Sequence, residues 1–403
     1  MEELREIEYL KRKLTAKRPR VLERYKFYEM KNCALDLGIS TPPDLRYWNS
    51  AVGWCAKGVD ALADRLTFRT FRDDNFNLNE IFSMNNPDTL PDSAVLSALI
   101  SSCSFIYISP DESGYPRMQV IDGGNATGEI DTITGLLTSG YAVLKRDNSG
   151  NAVVEAYFTP NATYYYESGK LIETYEHKVG HPLLVPIIHR PDAVRPFGHS
   201  RISRACMSFT GSALRTIKRG EISAEFYSYP QKWVTGLSDD VELDRWQASI
   251  SSMLSVSKDE DGDKPTFGQF TQASMTPHLE QLRMFASLFA GETGLTLDDL
   301  GFPSSNPASA EGIKAAHENM RLAARKAQRC FGSGFLNAGF LAACVRDKVT
   351  YERKQFYLTK PIFDPIFEAD ASTLTGIGDA ILKIQQAFPD YLDEEKLRDL
   401  IGV

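Results

Sequence analysis

Residues able to do chemistry are present in this 403-residue chain, but not at the spacings that chemistry needs. A phosphate cradle requires Gly-x-x-x-x-Gly-Lys-Ser/Thr, so that backbone N–H groups and the lysine surround the phosphates. The Gly169-Lys170 pair has neither the upstream glycine nor the hydroxyl. Gly332-Ser-Gly334 lacks the third glycine of a dinucleotide turn and sits in a helical run. Gly198-His-Ser200 lacks the closing glycine of a nucleophile elbow. His177 and His181 are four apart, a spacing that aims two ligands one way only on a helix, and they lie at a strand end before Pro182. All six histidines read as surface or packing residues. Aligned on Gly262, the acidic loop Asp259-Glu-Asp-Gly262 puts Gly268 where a calcium loop needs a bidentate glutamate, so it reads as a solvated turn. Cys33, Cys55, Cys103, Cys206, Cys330 and Cys344 are scattered without a Cys-x-x-Cys, as expected of reduced cytosolic thiols. The charged first residues do not read as a secretory leader, so the Asn-x-Thr sequences at 125–127 and 161–163 are not expected to be glycosylated. The expectation is no catalytic, cofactor-binding or metal site.

Two charged patterns stand out instead. Arg201, Arg204, Arg215, Lys218 and Arg219 follow Gly198 in a helical run with no acid from Arg195 to Arg219. At 100° per residue they share a face about 100° wide, beside one formed by Ala205, Phe209, Ala213 and Ile217. Such a stripe can track phosphates, stand in solvent, or pair with acids of a neighbour, Glu280 among them. Further on, Lys314, Arg321, Arg325 and Arg329 cluster within about 60°. Glu311 and Glu318 share that face at i,i+3 and i,i+4 spacings, which predicts a salt-bridged surface. Ile313, Ala316, Met320, Ala323, Ala327 and Phe331 occupy roughly the opposite face, and their small size predicts close helix packing within or between subunits.

The elements that would position these residues form an α+β pattern, mainly helical. Hydrophobic residues are 42% and charged residues 24%, ordinary globular values. Forty-five Lys+Arg against 53 Asp+Glu leave a net charge of −8, which argues against coating nucleic acid by bulk charge. No apolar run approaches the ~18 residues of a membrane helix; the stretch 183–188 is short and broken by Pro186. Helices are expected over 2–31, 43–66 and 92–102. An antiparallel β meander is expected over 105–189, with hairpin turns at Asp147-Asn-Ser-Gly-Asn151 and Glu167-Ser-Gly169. A helix follows over 200–228. Then come a mixed insert over 229–277 with a strand at Lys232-Trp-Val-Thr235 and a short helix at 243–254, and a helix over 278–293. After the breaker-rich loop 301–307 comes an Ala-rich helix over 308–345, bent at Gly332-Ser-Gly334. Strand character returns over 351–367, and 374–401 is helical with a break at Phe388-Pro389.

Four segments in this order resemble one family. Phe197-Gly-His-Ser-Arg-Ile-Ser203 opens a long helix after Val185-Pro-Ile-Ile188. Thr276-Pro-His-Leu-Glu-Gln-Leu-Arg283 leads to Phe289-Ala-Gly-Glu-Thr-Gly-Leu295 and Leu300-Gly301. Asn306-Pro-Ala-Ser-Ala-Glu-Gly-Ile-Lys314 opens the Ala-rich helix, and Pro361-Ile-Phe-Asp-Pro365 precedes the C-terminal helix. Together they resemble the portal proteins of tailed bacteriophages, well over about 180–370 and in outline before that.

The resemblance implies a ring, usually of twelve subunits, at one capsid vertex, made in the host cytoplasm, through which double-stranded DNA is packaged and ejected. It implies a wing over 1–196, a first stem helix over 197–228, a clip over 229–277 and a second stem helix over 278–301. A tunnel loop would span 302–308, a spine helix with returning wing strands 309–369, and a crown-like segment 370–403. The channel candidates are Arg201, Arg204, Ser304, Ser305 and Asn306. The subunit-contact candidates are Arg215, Lys218, Arg219, Ala316, Met320, Ala323 and Ala327. Implied partners are the terminase motor, a head-completion or adaptor protein, and the major capsid and scaffolding proteins; a cofactor and a membrane are not implied. The resemblance leaves ATP hydrolysis to the motor, so the chain is not expected to be an enzyme. Twelve copies at −8 each give roughly −96, a field that disfavours sticking to passing DNA. Two alternatives stand: another head–tail adaptor, which would lack the stem–insert–stem order, and an intracellular enzyme, which would need a pocket of perturbed titrating groups.

Overall fold

Ile7, Leu10 and Leu14 recur at helical spacing near the N-terminus, and this stripe buries itself against a sheet. In a computed structural model the described residues are 2–32, 49–228, 232–235, 266–269, 274–303, 310–367 and 371–387. They divide into two units, one of residues 1–31, 53–207 and 290–403, the other of 32–52 and 208–289. The observed class is α+β with antiparallel strands.

In the first unit α1 (Glu2–Tyr28) precedes α2 (Trp54–Ala63), β1 (Phe68–Arg72), α3 (Leu78–Ser83) and α4 (Thr89–Ser101). The strands β2 (Cys103–Pro110) and β3 (Pro116–Asp122) follow, then β4 (Ala126–Ile130), β5 (Leu137–Arg146), β6 (Ala152–Phe158), β7 (Ala162–Glu167), β8 (Lys170–Glu176) and β9 (Leu184–Ile188). The expected meander of 105–189 divides into two sheets, a five-stranded one in the order β4-β5-β6-β7-β8 and a three-stranded one in the order β3-β2-β9. The break is local: the Asp122 carboxylate accepts the Gly124 N–H at 2.6 Å and the Asn125 amide at 2.5 Å, which turns the chain out of β3. Both expected hairpins are present, as β5–β6 and β7–β8.

The α1 stripe packs on Tyr141, Val143 and Tyr157 of the five-stranded sheet. Polar residues of the same helix then tie to that sheet. Lys11 Nζ donates to Glu155 at 2.9 Å, Lys13 Nζ to Glu129 at 2.6 Å, and Tyr157 Oη to Glu6 at 2.8 Å. In the other sheet β2 is buried on successive residues from Cys103 to Ile108. Helices α4 and α8 (Glu318–Asp347) both pack there, so the buried run of β2 is apolar except for Ser104, whose hydroxyl donates to Ala94 O at 2.6 Å.

The Ala-rich segment is two helices, α7 (Ala310–Ala316) and α8, interrupted at His317. α8 runs unbroken through Gly332-Ser-Gly334, where a bend was expected, and the glycines there serve packing. A Cβ on Gly332 would lie 2.6 Å from Pro361 Cγ, and one on Gly334 2.7 Å from Ile187 Cδ1, so only glycine lets the helix approach β9 and β12 (Lys360–Phe363) this closely. Strand β12 pairs antiparallel with β1 around Phe68, Phe335 and Phe363. The last described element is α9 (Ala371–Ala387).

The second unit holds most of α5 (Arg204–Ser228), most of α6 (Thr276–Thr293) and the antiparallel pair β10 (Lys232–Thr235) and β11 (Thr266–Gln269). Within it α5 buries Thr210, Ala213, Leu214 and Ile222, and α6 buries Ala286 and Phe289. Thr216 Oγ1 donates to Gln281 Oε1 at 3.1 Å between the two helices. The helix expected over 243–254 and the acidic loop 259–262 lie outside the described residues.

Candidate functional site

The segment that opens α5 is built around a turn only glycine can make. Gly198 has φ +70°, and a Cβ there would stand 2.1 Å from the His189 carbonyl oxygen. The following N–H, of His199, donates to that same oxygen at 2.8 Å. His189 Nδ1 meets His199 O at 2.7 Å in return, and burial drives the His189 pKa down to about 3, so the ring stays neutral. Two residues on, Ser200 Oγ donates to Ile100 O at 2.6 Å and the Arg201 N–H to Leu99 O at 2.7 Å, fastening the segment to the end of α4.

Arg201 completes this clasp. Its guanidinium donates to Gly58 O at 3.3 Å and to Thr293 O, joining α2 to the end of α6. Burial lowers its pKa. Ser203 Oγ donates to Glu292 at 2.7 Å and accepts the Cys206 N–H at 3.2 Å, capping the new helix. Outside the clasp, His199 Nε2 meets Asp192 at 2.6 Å, and that hydrogen bond, with the N–H groups of Arg195 and Val194 that the same carboxylate accepts, holds its pKa low. The two N–H groups that Asp192 accepts close the turn over 192–195.

The five-cation stripe does not survive as one face. Helix α5 begins at Arg204, not Ser200, so Arg201 stands before it with its guanidinium turned to backbone carbonyls. Lys218 is only 3% exposed. Arg204, Arg215 and Arg219 are exposed, with Arg215 donating to Ser212 Oγ at 2.8 Å. Glu280 on α6 is also exposed. The channel candidates Ser304, Ser305 and Asn306 lie outside the described residues.

The Ala-rich helix corrects the expectation more sharply. Met320 and Ala327, offered as subunit contacts, are each 1% exposed in a single chain. With Ala324, Phe331 and Phe335 they form the stripe that α8 presses into its own core. Ala323 is half-buried and Ala316, on α7, is exposed. The charged face follows the sequence more closely: Arg321 and Glu318 pair at 2.6 Å across i,i+3. Arg325, Lys326 and Arg329 are exposed beyond them. Among the described residues no cluster of His, Cys, Asp or Glu could hold a metal ion, and no helix is long and apolar enough to cross a membrane.

The clasp is the site that spacing alone missed. Its signal was Gly198 between Phe197 and the polar pair His199-Ser200 at a strand-to-helix junction, which marks a positive-φ turn but not the carbonyls that Arg201 reaches.

No family model matches the chain. The resemblance to portal proteins is nevertheless borne out by curated relatives. The chain is 26% identical over 340 residues to a protein of Mycobacterium phage D29 named "Portal protein", covering 78% of this chain and 69% of the relative. It is 25% identical over 336 residues to the "Portal protein" of Mycobacterium phage L5, covering 77% and 68%. Among solved structures, a chain of the virion of a native gene transfer agent particle has TM-score 0.44 at 14% identity, covering 87% of this chain and 89% of that one. A chain from the neck of the native particle computed with C12 symmetry has TM-score 0.46 at 12% identity, with 87% and 89% covered.

Proposed function

We propose that this chain is a phage portal subunit, forming with further copies a ring-shaped DNA channel at one capsid vertex. The observation that carries the reading is the match to two mycobacteriophage portal proteins over more than three quarters of the chain. It acts as a conduit, not a catalyst, and docks the terminase motor, a head-completion protein, and the capsid and scaffolding proteins.

On this reading the paired α5 and α6 are the stem, β10 and β11 belong to the clip, and α8 is the spine of the wing. The tunnel loop holds Ser304, Ser305 and Asn306, and the crown is the segment from 370. Of the α5 cations, Arg204 faces the channel, while Arg215 and Arg219 meet the adjacent subunit. A conduit gains nothing from tight phosphate contacts, since each adds a salt-sensitive affinity that slows passage.

Negative-stain microscopy and mass measurement in solution test the assembly. Rings with a central hole, twelvefold, and species far above 45.0 kDa are expected; a monomer at every concentration and salt overturns the reading. Charge reversal at Arg215 and Arg219 together should weaken the ring, whereas reversal at Arg204 should leave it intact and alter DNA packaging. Normal assembly and packaging by both variants would remove these cations from the mechanism.

A further inference from the structure

Between α1 and the β5–β6 hairpin lies a cavity of about 390 Å³. Leu14, Val143 and Ala152 give it an apolar floor, and Lys11, Arg18 and Arg146 bring three cations to its walls. Glu155 is the one carboxylate among the described residues that line it, and it is already engaged. Lys11 Nζ donates to it at 2.9 Å, and Tyr141 Oη donates to it as well. Three cations against one carboxylate leave the lining with a charge of +2.

The two arginines converge on the hairpin turn. Arg146 donates through Nε to Asn125 Oδ1 at 2.7 Å and through Nη1 to Gly150 O at 2.9 Å, so its guanidinium is held in place with Nη2 free among the described residues. Arg18 reaches the same glycine, since a Cβ on Gly150 would stand 4.0 Å from Arg18 Nη2. Arg18 has no hydrogen-bond or ion-pair partner among the described residues, and Arg146 is not ion-paired there either. Both are half-buried. Burial and the neighbouring Arg18 charge lower the Arg146 pKa, as expected of two like charges held together without an anion.

The helix that carries Arg18 adds an independent feature. Residues 11–26 hold eight Lys and Arg against one acid, Glu23, in a chain of net charge −8. Several of the eight turn to their own fold: Lys13 to Glu129 at 2.6 Å, Lys17 to Cys103 Sγ at 3.0 Å and Arg24 to Ser101 O at 3.1 Å. The summed field of this segment favours an anion at the cavity, and the apolar floor strengthens it by excluding water.

We propose that Arg18 and Arg146 bind a phosphate group, free or esterified. A guanidinium presents its donors as a planar fork. A tetrahedral phosphate has oxygens facing two directions, so it can accept from both forks and bring up to two negative charges to a cavity of charge +2. A carboxylate offers one charge and one edge. The site goes beyond the portal reading and does not depend on ring formation.

Isothermal titration calorimetry of the full chain with inorganic phosphate, against chloride at matched ionic strength, tests the site. Saturable binding at one site per subunit is expected, weakened roughly tenfold or more by Arg18→Gln and by Arg146→Gln. Arg146→Gln also removes the Asn125 and Gly150 contacts, so Arg18→Gln is the decisive variant. Its thermal midpoint without phosphate should match native, which separates loss of the site from loss of the fold. A short DNA duplex is the second probe. Binding of the duplex but not of inorganic phosphate, weakened about as much by Arg18→Gln, supports the site and makes a backbone diester its ligand. Succinate is the third probe, and an equal Arg18-dependent affinity for it overturns the phosphate assignment. Absence of Arg18-dependent binding by both phosphate and duplex overturns the site, whether or not the protein forms rings.

Discussion

Replacing Gly332 by alanine sets two known effects against each other. Inside a helix the change should stabilise by about 1 kcal/mol, because alanine loses less backbone entropy. Against this, the new Cβ would lie 2.6 Å from Pro361 Cγ, 3.2 Å from Pro361 Cβ and 3.3 Å from Phe363 Cε2. Ordinary carbon contacts need ~3.5–4.0 Å, so something must move by about 1 Å. Neither neighbour is free to do so. Pro361 is paired opposite Phe71 in the β1–β12 ladder, and the Phe363 ring packs on Phe68 at 5.6 Å and Phe335 at 6.3 Å. Overpacking of this kind costs roughly 1–3 kcal/mol, so the clash should win by about 1 kcal/mol. The internal control is Gly291→Ala on α6, where a Cβ meets nothing within 4 Å and the helical gain of roughly 0.5–1 kcal/mol should appear alone. Urea midpoints by circular dichroism, at matched concentration and assembly state, should place native protein between the two variants. A Gly332→Ala chain as stable as native or more so would refute the argument that this glycine is required for close packing.

Arg201→Ala removes donors from two backbone carbonyls and should lower stability by about 2 kcal/mol, against about 0.5 kcal/mol or less for exposed Arg204→Ala, as thermal midpoints would show. His177 is buried, neither ring nitrogen has a hydrogen-bond partner among the described residues, and burial lowers its pKa to about 4. The unfolded chain therefore binds more protons between about pH 6.5 and 4, so this contribution is complete above pH 6.5 and is lost as pH falls through that window. His177→Phe should flatten part of the acid loss in a stability-versus-pH series, leaving the part that His189 contributes in the same direction. Glu318→Gln should change stability by less than about 0.5 kcal/mol despite breaking the Arg321 pair, because both partners are partly exposed, at 34% for Arg321 and 47% for Glu318, and water screens them.

Local chemistry determined the features that neighbours in sequence decide. The 147–151 and 167–169 turns specify their hairpins because Asp-Asn-Ser-Gly-Asn in the first and Ser-Gly in the second lie between β-forming runs, and the structure pairs those strands as expected. The Glu318–Arg321 pair needs only helical spacing. The four segments that resemble portal proteins were also legible, because order along the chain is itself a sequence property. Tertiary structure decided what covers each face. Periodicity showed that Met320 and Ala327 share a stripe with Phe331, but not whether a neighbour or the chain's own sheet buries it. It placed Gly332 and Gly334 in a helix, but not against Pro361 and Ile187, which come from opposite directions along the chain. It counted Arg201 into a basic stripe, when the helix starts three residues later and its guanidinium reaches carbonyls at Gly58 and Thr293. In each case the missing term is a contact with residues outside the element itself, here from a few tens to well over a hundred positions away. Side-chain spacing fixes the direction a group points, while burial depends on which distant segment the fold brings to meet it.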